Sequence, residues 1–296
     1  MKTQRLKKII PAILACASAL IFSACGDEAV PEGATVVTVG VVGEANQMWK
    51  PVIAEAAKEG IVVRLVKFSD YSIPNRALND GEVDLNAFQH HAFFEKDKKS
   101  RGFDLVDIGD TFISAMNIYS RKIKSVAELK DGDKIAIPND ITNGGRALKI
   151  LEAAGVIALR PEAGDTPERK DITAFLKKVS LVEVDAANIP GLLPDVAAGV
   201  INCNYALDFG FNPGKDAIFR DGVSVYSGKS FVNLVAARTS DKDNPVFRRV
   251  VEIYQTSPGV LESYARDFKG AYVPGWKRDA AATAPAETVA PATIQK

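Results

Sequence analysis

Only two histidines and three cysteines occur in this 296-residue chain, and its positive and negative side chains balance at 37 each. The even charge gives no basic excess for nucleic acid to exploit. The histidines are neighbours, His90 and His91, and adjacent residues point to opposite faces of a strand or about 100° apart on a helix. A zinc site built on them has no second cluster of His and Cys to complete it. No GxxxxGK loop is present to cradle a nucleotide phosphate, and no GxSxG elbow to present a nucleophile. No segment of 20 to 50 residues repeats, which excludes a solenoid. These absences leave no cofactor and no catalytic motif to argue from.

The one long apolar run lies at the start. "MKTQRLKK" supplies four cations, and "IIPAILACASALIFSAC" follows, ending in small residues at Cys25. A basic stretch, a short apolar run and a small-residue cleavage site read as a secretory signal over residues 1–24. Phe22-Ser23-Ala24 before Cys25 is close to a lipobox, which makes Cys25 the expected lipidated first residue of the mature chain. Residues 25–35 read as a flexible tether holding a domain off a membrane. An acylated Cys25 leaves Cys203 alone, so no disulfide staples the domain and its core must stabilise it. Past the signal, 33 cations face 37 anions, a mildly acidic surface. At the other end, 278–296 is rich in Ala, Thr and Pro and too poor in large apolar side chains to offset ordering; it reads as disordered.

The intervening residues, about 240 of them, are enough for one large or two smaller cores. Short β-rich runs ("VVTVGVV", "IVVRLVKF", "VDLNAF", "FDLVDIG", "MNIYS", "KIAIP", "VSLVEVD", "GVINC", "FVNLVAA") alternate with helical patterns. "QMWKPVIAEAAKEG" stops at Gly60, and "TNGGRALKILEAAG" stops at Gly155. Alternation of this kind predicts an α/β architecture with mainly parallel sheets, whose ligands sit beyond the carboxyl ends of strands.

Three stretches deserve inspection under that rule. "DLNAFQHHAFF" surrounds the histidines with Phe88, Phe93 and Phe94, and Tyr71 lies a short segment earlier. Aromatic faces with one imidazole suit an apolar or thioether side chain. In "AIPNDITNGGRAL" a strand ends at Pro138 and a helix is expected to begin near Gly145, placing Arg146 in its first turn beside backbone amides that favour an anion. "GVINCNYALD" ends a strand at Asn202, and "SFVNLVAAR" places Asn233 inside an otherwise apolar strand, where an amide needs a partner.

With "DYSIPNRALNDGEVDLNAFQH", "KIAIPND", "VINCNYAL", "DAIF" and "VPGW" in order, the chain from about Val36 to Trp276 resembles the methionine-binding lipoproteins of the NlpA family. These are the solute receptors of methionine ABC importers. The resemblance implies an α/β, two-lobed periplasmic-binding-protein fold (type 2), with the ligand in the interlobe cleft. Lobe one would comprise 36–119 and 228–277, and lobe two 120–227. Tyr71, Phe88 and His90 match positions around the methionine side chain. Asn143 and Arg146 match those holding its carboxylate, and Asn202 and Asn233 match contacts to the amino-acid head. Phe93 stands where many members carry Tyr, Ala115 replaces a common Pro and Asn117 a common Gly; the first bears on specificity, the others on the hinge. His91 matches no ligand position.

The implied function is delivery of methionine, L or D, to a permease driven by a cytoplasmic ATPase. A methionine-containing dipeptide, another amino acid, a purely structural lipoprotein and an exported hydrolase stand as alternatives.

Overall fold

The computed structural model describes residues 30–222 and 228–277. The signal, Cys25, the first residues of the tether (25–29) and the 278–296 tail lie outside the described residues. From the amino end come β1 (Thr35–Val42), α1 (Trp49–Ala57), β2 (Ile61–Phe68), α2 (Pro74–Asn79), β3 (Leu85–Asn86), α3 (His91–Arg101) and β4 (Leu105–Asp110). Next are β5 (Phe112–Ser114), β6 (Met116–Tyr119), β7 (Lys134–Pro138), α4 (Ile141–Ala153), β8 (Ile157–Leu159), β9 (Ile172–Phe175), β10 (Ser180–Val184), α5 (Ile189–Leu192) and β11 (Ala198–Asn202). The chain closes with α6 (Cys203–Asp208), β12 (Ala217–Phe219), β13 (Leu234–Arg238), α7 (Pro245–Thr256), α8 (Pro258–Arg266) and β14 (Tyr272–Pro274).

Two five-stranded sheets organise two lobes. Lobe one has the order β2-β1-β3-β13-β4, lobe two β10-β7-β11-β6-β12. β1 and β2, dense in β-branched residues that suit a sheet buried on both sides, pair in parallel from Thr35↔Ile61 to Val42↔Phe68. The sheets are mixed rather than mainly parallel, because β13 runs antiparallel to β3 and β4, and β6 runs antiparallel to β11 and β12. Each antiparallel strand borders a passage between lobes. "VDLNAF" contributes only the two residues of β3.

The lobe boundary also shifts. Met116–Tyr119, expected to close lobe one, pairs with Asn202–Gly199 in the second sheet, and all four of its residues are buried there. The chain therefore crosses at about residues 111–115. It crosses back between β12 and β13.

Local chemistry explains the ends of the helices. Gly60 and Gly155 follow α1 and α4 at φ +72° and +70°, the left-handed conformation that stops a helix without a Cβ clash. α7 starts at Asn244, whose side chain accepts the Val246 and Phe247 N–H groups, with Pro245 at the first helical position.

One apolar core joins β1, β2 and β13 to α1, α7 and α8; a second fills lobe two around Ile135, Leu148, Leu151 and Val200. Both tryptophans are in the first. Trp49 packs on Tyr254 with ring centres 5.0 Å apart, and Trp276 on Tyr254 and Tyr264 at 6.0 and 6.3 Å. A third cluster straddles the lobes, setting Val42, Phe68 and Phe88 against Tyr119, Ile189 and Tyr205.

Candidate functional site

A cleft between the lobes holds about 630 Å³ of space not filled by atoms, part of it open to solvent. Its walls bring together all eight residues picked from the sequence. Tyr71, Phe88, His90, Phe93 and Asn233 come from lobe one and its crossover, and Asn143, Arg146 and Asn202 from lobe two.

The lobe-one wall is aromatic. Tyr71, Phe88 and Phe93 form a triangle with each pair of ring centres 6.0 Å apart. The Tyr71 hydroxyl reaches across the cleft to donate to Asn204 Oδ1 at 2.6 Å, and burial raises its pKa well above the usual tyrosine value, so it keeps its proton. His90 caps α3: its Nδ1 accepts the Phe93 N–H at 3.1 Å. That bond assigns the ring proton to Nε2, which donates to Asn143 Oδ1 at 3.3 Å. Burial, then the nearby Arg146 charge, lowers the His90 pKa to about 3, leaving a neutral ring at physiological pH.

On lobe two the helix begins four residues earlier than expected. Asp140 is the N-cap of α4, its side chain accepting the Thr142 and Asn143 N–H groups and its carbonyl the Gly144 N–H, so Arg146 is in the second turn and these three amides are already satisfied. A side-chain carboxylate outcompeted the Gly-Gly pair as the start signal. Asn143 is fixed from both ends: its Nδ2 donates to the Asp140 oxygens at 3.0 and 3.2 Å, and its Oδ1 accepts from His90 and from Asn202 Nδ2 at 2.8 Å.

Arg146 is 3% exposed, which excludes a solvated surface role. Its Nη2 donates to the Ser114 carbonyl at 2.7 Å and to Asp221 Oδ2 at 2.8 Å, and its guanidinium lies 4.8 Å from the centre of the Phe231 ring. Asn202 Oδ1 is buried with no hydrogen-bond partner among the described residues, an acceptor at the cleft wall. Asn233 precedes β13 instead of lying inside a strand; its backbone bonds to Phe112 and Thr111, and it forms an isolated bridge with His90.

Sequence reasoning missed Asn204, two positions after Asn202 in "NCNYAL", and Asp221. The first was within reach of the strand-end rule. The second has no local signal, since it meets Arg146 only through the fold. Cys203 also lines the cleft, and burial pushes its thiol up to about 12, far from a reactive thiolate.

The two histidines do separate. His91 turns to Asp110 at 2.7 Å, with Asp107 at 3.9 Å, while Lys229 reaches the other Asp110 oxygen at 2.6 Å. Among the described residues this is the one group with metal-ligand spacing. It is not part of the cleft lining, and Lys229 supplies a cation to Asp110 from within the chain.

The model of the NlpA lipoprotein family matches residues 37–276. This chain belongs to the NlpA lipoprotein family. A D-methionine-binding lipoprotein, MetQ, of Salmonella typhimurium is 39% identical over 274 residues, covering 91% of this chain and 98% of that protein. A nutrient-binding protein from Burkholderia cenocepacia, solved bound to methionine, shares 41% identity and superposes with a TM-score of 0.75 over 80% of this chain and 99% of its own. The methionine-binding protein MetQ superposes at 0.78 with 38% identity, over 82% and 99%. The fold is that of the two-lobed periplasmic substrate-binding proteins, and the NlpA assignment covers both lobes.

Proposed function

We propose that this NlpA-family chain is an extracytoplasmic receptor that captures methionine, L or D, between its lobes for an ABC importer. The observation that carries the reading is the division of one cleft into complementary halves. Lobe two offers a buried cation, Arg146, and a buried unsatisfied acceptor, Asn202 Oδ1. Lobe one offers three rings and a neutral imidazole. A zwitterion with a thioether tail matches this division: carboxylate to the guanidinium, ammonium toward Asn202, sulfur among the ring faces. Asn143 and Asn233 frame the head group, and Tyr71, Phe88 and Phe93 the tail.

Each lobe holds half of the contacts, so ligand favours the closed arrangement by the extra contact made there. Release then goes to a transmembrane permease and its cytoplasmic ATPase, both separate chains, while a lipid on Cys25 keeps the receptor at the membrane. No covalent step enters. The buried Cys203 thiol and the neutral, hydrogen-bonded His90 make a poor nucleophile and base at neutral pH.

The test is native mass spectrometry of the soluble domain begun after Cys25, followed by calorimetric titration with L- and D-methionine. A copurifying mass of methionine and one-to-one binding are expected. Turnover of amino-acid esters or peptides, or no binding of any amino acid, would overturn the reading.

A further inference from the structure

We propose that Asp221, which is not among the cleft-lining residues, is the positioning residue that aims Arg146 at the ligand carboxylate and ties that contact to both interlobe crossovers. The inference rests on the amino-acid-receptor reading. One oxygen of Asp221, Oδ2, accepts both from Arg146 Nη2 at 2.8 Å and from the Met116 backbone N–H at 3.1 Å. The backbone N–H of Asp221 donates to Asn117 Oδ1 at 2.9 Å. Both members of the ion pair are nearly inaccessible, with side chains 4% and 3% exposed. A buried guanidinium with a long, flexible stem adopts one orientation only where partners fix it.

The partners come from the connecting segments. Ser114 is on the outgoing crossover, and Met116 and Asn117 open the strand that follows it. Asp221 and Phe231 lie on the returning passage. Arg146 thus rises from a lobe-two helix into a cradle made by both links between the lobes. Asp221 does not line the cleft, whereas Arg146, Ser114 and Met116 do. Its effect on ligand must therefore pass through the guanidinium.

Asp221→Asn removes the charge while leaving an acceptor oxygen for Arg146 and Met116, and Asp221→Glu keeps the charge while displacing the oxygen by a methylene. Calorimetry with methionine and with methioninamide, which lacks the carboxylate, separates the possibilities. Asp221→Glu and Asp221→Ala should weaken methionine at least tenfold and leave methioninamide within about threefold of wild type, while Asp221→Asn stays within about threefold for both. Combining Asp221→Glu with Arg146→Ala should weaken methionine no further than Arg146→Ala alone.

Unchanged methionine affinity in Asp221→Glu, or equal losses for methionine and methioninamide, would overturn the proposal. Should Asp221→Ala fail to fold, the Glu and Asn variants decide. The ¹⁵N resonance of the Arg146 guanidinium, sharp in the wild type and broadened in Asp221→Glu, reads the positioning without ligand. A wild-type chain that binds no amino acid would instead sink the receptor reading, with that resonance still reporting on the anchor.

Discussion

At the scale of single residues, the site is a set of polar atoms whose partners are nearly all assigned, and this fixes what each substitution should do. Arg146→Ala removes the buried cation and is expected to cost methionine affinity at least tenfold, about 1.4 kcal/mol or more, by titration calorimetry. Phe93→Tyr places a hydroxyl inside the ring triangle and should reorder affinities among methionine analogues in competition titrations while leaving the thermal midpoint close to wild type. His90 gives a pH signature. Its folded pKa of about 3 is below the ordinary histidine value of 6.5, so the unfolded chain binds the proton first and acid favours unfolding. Its stabilising effect is complete above about pH 6.5 and declines toward pH 3, by at most ~1.4 kcal/mol per pH unit. His90→Asn, whose amide oxygen can still cap α3, should flatten the wild-type loss of stability between pH 6.5 and 4.5 in urea titrations. The types and positions of these residues were legible in the sequence, because strand ends followed by polar turns are easy to find. Their partners were not. Asp221 is 75 positions from Arg146, and no pattern along the chain joins them.

At the scale of elements, α4 shows where reading along the chain stops working. The Gly-Gly pair suggests a helix start, yet Asp140 caps a helix that begins four residues earlier, at Ile141, and its side chain also holds Asn143. Asp140→Ala should therefore do two things at once: lower stability by about 1 kcal/mol in urea unfolding and weaken methionine several-fold as Asn143 loses its anchor. A loss of stability with unchanged affinity would show that Asn143 is held by His90 and Asn202 alone. Long β-branched strands such as β1 and β2 are legible almost to the residue, since their burial is written in composition. β6 joins the second lobe's sheet for a tertiary reason: the sheet that a short apolar strand joins is decided by pairing partners tens of residues away, in β11.

At the scale of the whole molecule, two sheets joined by crossovers give the proposed closure a size that scattering can measure. Methionine should reduce the radius of gyration in small-angle scattering and raise the thermal midpoint, the stabilisation reaching about 2.7 kcal/mol at a hundredfold excess over Kd. Unchanged scattering with a raised midpoint would mean that the chain is already closed without ligand. The two-lobed architecture was legible only through resemblance to a family, because periodicity gives strands and helices in order but not their division between two cores.

The placement of both indoles beside Tyr254 has a practical corollary. Trp49 and Trp276 belong to one half of the molecule and stand apart from the cleft lining, so their emission is a private gauge of that half. A denaturation curve followed by tryptophan light records the melting of the first sheet and its helices, and an indole engineered near Leu148 would be needed to hear from the second.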